Sequence, residues 1–454
     1  MAPSQNETDM KRRRMLGVVV ALAITSVLGL PREALAAPVP APGESTTASS
    51  VAGAFYPVAA TRLLGTPTSG YAVQPGVPVT VPVEAQKGVP ATGVSAAVVN
   101  VVVAAGPSAV TLSARPAVGD ESPRPSSGFL PAVVVPAGDT RSALLTVPIS
   151  ATGAFDVSVA GGAASVTADL EGFYAADDTV IATAGISGGY QPVDVTRVYD
   201  TRADTPVPPG GTTQLSASLG AGVDPHVTSL LVQVTAFDAA ATGGLAVTGT
   251  SGGPTAVSYA PGRATSNLAV VPADLDSDGR LRLALTNSGA ASVGAAVDVV
   301  GFYDDGTIGA NLRLRTTEPT RVVDTPTGIP ASALSPGVSV GVHPPATVVG
   351  ASTFAVAGML TTAPAATETT LELGRAEGAG QPLPVAAGVS TSVPVQAEVA
   401  SDGTLALRAA SGGPAVQGSL DVVATFESSP PVADGAPRSW VSPVSSWQIE
   451  AVRR

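Results

Sequence analysis

Thr196-Arg197-Val198-Tyr199-Asp200-Thr201 opens, and Asp298-Val299-Val300-Gly301-Phe302-Tyr303 closes, the segment that decides how this chain is read. Both ends recur. Thr61-Arg62-Leu63-Leu64-Gly65-Thr66 lies 135 residues before the opening hexapeptide, and Thr320-Arg321-Val322-Val323-Asp324-Thr325 lies 124 after it. Asp169-Leu170-Glu171-Gly172-Phe173-Tyr174 and Asp421-Val422-Val423-Ala424-Thr425-Phe426 repeat the close, so the Arg-to-Asp separations are 107, 101 and 100 residues. A unit longer than about 100 residues exceeds the roughly 20–50 of a solenoid repeat and has the size of a self-sufficient domain. The expectation is three tandem units, 54–176, 188–305 and 312–427, strung like beads.

Within each unit, short Val-rich runs alternate with Gly, Pro and Asp turns. Ser95 to Val103, Leu230 to Phe237 and Thr353 to Leu360 form one equivalent set, and Ser142 to Pro148, Leu281 to Thr286 and Thr404 to Arg408 are further runs. The breakers recur in place: Ala137-Gly138, Pro261-Gly262 and Ala387-Gly388 precede one strand, and Gly153, Gly279 and Gly403 fall in the turn after it. Runs of this length bounded by breakers predict antiparallel strands in sandwiches. The fold class expected is therefore all-β, with three tandem antiparallel β-sandwich domains after a signal peptide.

Composition agrees with that class. Gly 50 and Pro 41 make up about a fifth of the 454 residues, against roughly 12% in an ordinary chain, which rules out long helices. A hydrophobic share of 44% with only 4% aromatics predicts real cores built from small side chains rather than a disordered polymer. The net charge is −12, and −14 once residues 1–36 are removed. Such a surface repels nucleic acid and anionic membranes, so no nucleic-acid partner is expected. With Cys 0, disulfides, thiolate zinc sites and iron–sulfur clusters are excluded.

The N-terminus carries an export pattern. Lys11-Arg12-Arg13-Arg14 is a basic n-region, Leu16 to Leu30 an apolar stretch, and Ala34-Leu35-Ala36 an A-x-A cleavage site. This predicts a signal peptide over 1–36 and a secreted, extracellular or cell-wall-associated product, with no integral membrane segment after cleavage. The export route, general secretory or twin-arginine, stays open. Residues 37–53, rich in Pro, Ser, Thr and Ala, read as a flexible linker, and 428–454 as a C-terminal tail, frayed or folded back on the third unit.

The succession of T-R-[LV]-x-D-T, an Ala/Val strand, a Pro/Ala-Gly turn and a closing D-V-V-G-F-Y resembles a tandem β-sandwich repeat domain of secreted actinobacterial proteins. The resemblance covers nearly all of 54–427. Gly65 departs from it at the Asp position, and Ala424-Thr425 stand in place of Gly-Phe. It implies an extracellular β-rich accessory module with no catalytic residues to carry over.

Candidate sites are few. Arg62, Arg197 and Arg321, with Asp169, Asp298 and Asp421, are the charged positions present in all three units. Flanked by Leu, Val and Phe, they predict structural ion pairs joining first strand to last; a ligand clamp is the other reading. Asp274, Asp276 and Asp278 open like a calcium loop, D-x-D-x-D-G, but Leu285 stands at position twelve and an Asp-Gly hairpin needs no metal. No cofactor is expected, with calcium as the alternative. Gly249-Thr250-Ser251-Gly252-Gly253-Pro254 looks like a serine-nucleophile motif, yet only His226 and His343 could serve as base, and neither has the expected context, so a Gly/Ser hairpin loop is preferred. Trp440 and Trp447 in the tail are the candidate binding residues, facing a partner or glycan. The sequence thus points to a non-enzymatic adhesion, scaffold or glycan-contacting protein whose partner is cell-wall polysaccharide or another envelope protein. A calcium-dependent carbohydrate-binding protein and a secreted hydrolase with unidentified carboxylates stay as alternatives.

Overall fold

In the computed structural model, residues 50–66, 69–118, 133–249, 254–309, 312–429 and 450–453 are described. The signal-peptide and most of the linker positions lie outside them, as do Trp440 and Trp447. The protein is all-β. Its few described helical pieces are single turns, the longest being Ile181–Ala184, and no described helix is long and apolar enough to cross a membrane.

Three opening strands, Phe55–Leu64, Tyr190–Asp200 and Leu312–Asp324, each pair antiparallel with a closing strand, Ala164–Ala175, Gly294–Asp304 and Gly418–Ser428. The closing strand pairs on its other side with Val94–Ala105, Val227–Phe237 or Thr353–Thr362. Thr140–Pro148, Thr265–Pro272 or Thr391–Glu398 then completes a four-strand order. The second and third of these inner sheets join edge to edge through Tyr190↔Leu312, giving one eight-stranded sheet. An outer sheet faces each: Val79–Pro82 with Ala154–Ala160, Val110–Pro116 and Val133–Val135, and its counterparts beginning at Thr212–Ser218 and Ser339–Val342.

Each sheet pair encloses its own core of Val, Leu and Ala, as the alternation of small apolar residues dictates. The turns feeding these strands need left-handed backbone, and Gly138, Gly262 and Gly388 supply it at φ 69°, 69° and 70°.

The three cores are not strung apart. Strand Gly294–Asp304 is buried at every residue, because its second face meets a fourth apolar cluster drawn from all three inner sheets. At its heart lie the closing aromatics Tyr174, Tyr303 and Phe426 and the opening-strand residues Phe55, Tyr190 and Leu314, each opposite its closing partner in register. Phe55 stacks on Tyr303 at 4.1 Å between ring centroids, and Tyr190 lies 4.7 Å from Phe426, so each ring of one sandwich reaches into the next. The buried Tyr174 and Tyr303 hydroxyls satisfy one another at 2.7 Å.

This centre explains the glycine of the closing motif. A Cβ on Gly172 would sit 2.2 Å from the Phe55 ring, and one on Gly301 2.4 Å from that of Tyr190. In the third sandwich Leu314 replaces the ring, and there the chain has Ala424.

The described end of the tail lies on the second sandwich rather than the third. Glu450–Arg453 pairs antiparallel with Thr212–Ser218 as an extra edge strand of that outer sheet.

Candidate functional site

The recurrent Arg and Asp side chains meet. Arg62 lies directly opposite Asp169 in register, Arg197 opposite Asp298 and Arg321 opposite Asp421, each just before a break in register that re-aims the arginine. All three are two-point forks. Nε donates to Oδ1 at 2.6, 2.8 and 2.8 Å, and Nη2 donates to Oδ2 at 3.1 Å in every case. The Asp side chains are 9%, 3% and 2% exposed, so their guanidinium partners are what make their burial tolerable. The paired carboxylate's hydrogen bonds hold the Arg197 and Arg321 guanidiniums above their usual range, against burial. Outward, Arg197 Nη1 donates to Asp200 Oδ2 at 3.0 Å, whereas Arg62, whose neighbour is Gly65, donates to the Thr66 carbonyl at 2.6 Å. These forks tie first strand to last.

Asp274, Asp276 and Asp278 are not brought together. Asp276 is buried and caps its own turn, its Oδ1 accepting from the Asp278 and Arg280 amides at 2.8 and 3.1 Å and its Oδ2 from Ser216 Oγ at 3.1 Å. Asp274 lies 3.8 Å from the Arg282 guanidinium. Among the described residues no group of three or more His, Asp or Glu is placed to hold a metal ion. His226 Nδ1 lies 3.1 Å from an Asp305 carboxylate oxygen and 2.8 Å from Thr307 Oγ1. Thr250 to Gly253, with Ser251, fall outside the described residues, as do the two tryptophans.

The clefts between neighbouring sandwiches hold what the sequence did not single out. Where the second meets the third, Arg375 reaches across, 2.7 Å from Asp194 Oδ1 and 3.2 Å from Glu398 Oε2, and only about 20 Å³ stays empty. Burial pushes the Glu398 carboxyl up to about 7, with the Arg375 charge pulling the other way. Register equivalence carries these positions onto the cleft between the first and second sandwiches. There Gly249 stands for Arg375, Ala59 for Asp194 and Pro272 for Glu398. Truncating three long side chains leaves a cavity of about 330 Å³, walled chiefly by Val58, Val247, Pro254 and Ala269.

Glu171 stands at the cavity's lining. It lies at a bulge of the closing strand, skipped by the register between Leu170 and Gly172, so its side chain turns out of the sheet toward the second sandwich. One carboxyl oxygen accepts the Val270 amide at 3.1 Å. Burial in this apolar wall pushes the carboxyl up to about 8, the Val270 bond opposing the shift. Its counterparts are Val300 and Val423, and a Glu at the place of two Val residues in the closing motif is the signal by which the sequence could have shown it. Neither a protein-family model nor a curated protein matches the sequence.

Proposed function

We propose that this chain is an exported, non-enzymatic protein that acts at the cell envelope or outside the cell as an adhesion, scaffold or glycan-contacting module. In this reading residues 1–36 direct export, 37–53 form a linker, and units 54–176, 188–305 and 312–427 are sandwich repeats of the type found in secreted actinobacterial proteins. The observation that carries it is the use made of the recurrent charges. In all three sandwiches they are consumed in internal Arg–Asp forks, which is the chemistry of a structural unit. The basic n-region with its A-x-A site supports export, and the acidic surface favours a partner other than nucleic acid.

Retention of the mature chain on purified cell-wall polysaccharide, with and without residues 428–454, tests the contact. Retention of the full chain, reduced on removing the tail with Trp440 and Trp447, is the expected result. Equal, negligible retention of both forms would remove the glycan-contacting role, and turnover in a broad hydrolase screen would overturn the non-enzymatic reading.

A further inference from the structure

We propose that the cleft between the first and second sandwiches binds a small guanidinium compound, with Glu171 as the buried anionic contact and Asp274 as the acidic rim. At the equivalent place between the second and third sandwiches the chain fills the space itself, with the Arg375 guanidinium held between Asp194 and Glu398. In the first cleft the arginine and both of its partners are replaced by Gly249, Ala59 and Pro272, and about 330 Å³ is left, against about 20 Å³. That volume falls in the range of small-molecule sites, roughly 300–1,000 Å³.

The first cleft carries an anion where its sister has Val300. Glu171 is 6% exposed, where the other two closing strands have Val300 and Val423. A lone carboxyl placed at an apolar position costs folding energy unless something pairs with it. The Val270 amide engages one of its oxygens, and no basic side chain is among the described residues that line the cavity. Asp274 lies at the same cavity, its carboxylate 40% exposed and 3.8 Å from Arg282. The aliphatic walls suit a short apolar stem, and the acidic contacts suit a planar cation, the two parts of the arginine side chain that occupies the sister cleft. Because the empty site keeps Glu171 protonated at neutral pH, a bound cation must displace that proton, and binding strengthens as pH rises.

Titration calorimetry of the mature chain with n-propylguanidinium, and with neutral n-propylurea as the isosteric control, tests the site. The expected result is saturable binding of the cation at least tenfold tighter than the urea. Going from pH 6.5 to 8.5 should tighten it about 25-fold, the ratio of ionised Glu171 at the two pH values for a carboxyl near 8. Glu171→Val, which installs the residue present at 300 and 423, should fold and lose at least tenfold in affinity, and Glu171→Gln should do the same. No saturable binding, equal binding of the urea, or unchanged affinity in both folded variants would overturn the proposal.

Discussion

Replacing Phe426 by Ala probes whether the sandwiches stand or fall together. The ring is fully buried, 6.2 Å from Tyr174 and 4.7 Å from Tyr190, partners contributed by two other sandwiches. Deleting such a side chain costs about 4 kcal/mol, from lost transfer energy and the cavity left behind. How far the melting temperature moves depends on how much chain unfolds with it. At about 2.1 cal/mol/K per residue, a cooperative body of roughly 400 residues has an unfolding entropy near 0.85 kcal/mol/K, so the shift is about 5 °C. A single sandwich of roughly 120 residues unfolding alone has about 0.25 kcal/mol/K, and its own transition would drop by about 16 °C while the others stayed put. The shared cluster predicts the first pattern in differential scanning calorimetry: one transition in the wild type, moved as a whole by about 5 °C. Separate wild-type transitions, with only one displaced by Phe426→Ala, would refute the inference that this centre couples the three.

Further outcomes follow from individual contacts. Arg197→Ala strands the Asp298 carboxylate, which is 3% exposed, and should cost about 2–4 kcal/mol in denaturant unfolding, part of the fork being solvent-screened; a loss under about 0.5 kcal/mol would mean that the fork is dispensable. Glu171 and Glu398 are raised from 4.5 to about 8 and about 7 in the folded protein, so the unfolded chain binds fewer protons above pH 4.5 and stability should fall as pH rises from about 5 to 8. Glu171→Val should flatten that decline in a pH series of thermal melts, and an unchanged slope would contradict the assigned burial. Removing residues 450–454 uncovers the edge strand Thr212–Ser218 and should increase self-association by light scattering; a strictly unaltered oligomeric state would show that the edge is protected by other means.

Much of the strand layout could be read from the residues, because Gly and Pro punctuation is local chemistry. Gly153, Gly279 and Gly403, placed in turns from sequence, adopt φ 72°, 74° and 88°. The Arg–Asp contacts were legible for a related reason, since a charge flanked by apolar residues at both ends of a sheet-forming segment has few partners. The common core was not. Alternation along a strand tells which residues share a face but not what covers it, and the run Val297 to Tyr303 reads equally well as one buried face or two. The paired hydroxyls of Tyr174 and Tyr303 belong to different units and lie 129 residues apart in the chain, beyond any local pattern. The cleft at Glu171 was hidden for another reason: it is made by small residues, Ala59, Gly249 and Pro272, whose meaning appears only beside the long ones that replace them in the sister cleft. The docking of Glu450–Arg453 on the second sandwich rather than the third likewise depends on which sheet edge lies free in space.

The fourth apolar cluster also bears on what happens when the protein is dilute. A single sandwich of this kind, severed from its neighbours, would present the inner face carrying Tyr303, Leu231 and Val270 to water, and would have to find two like faces by collision. Joining all three on one chain replaces that third-order encounter with an effective concentration fixed by short connectors. Assembly is then indifferent to how much protein is present, whereas a trimer held by the same contacts would dissociate once its concentration fell below its dissociation constant.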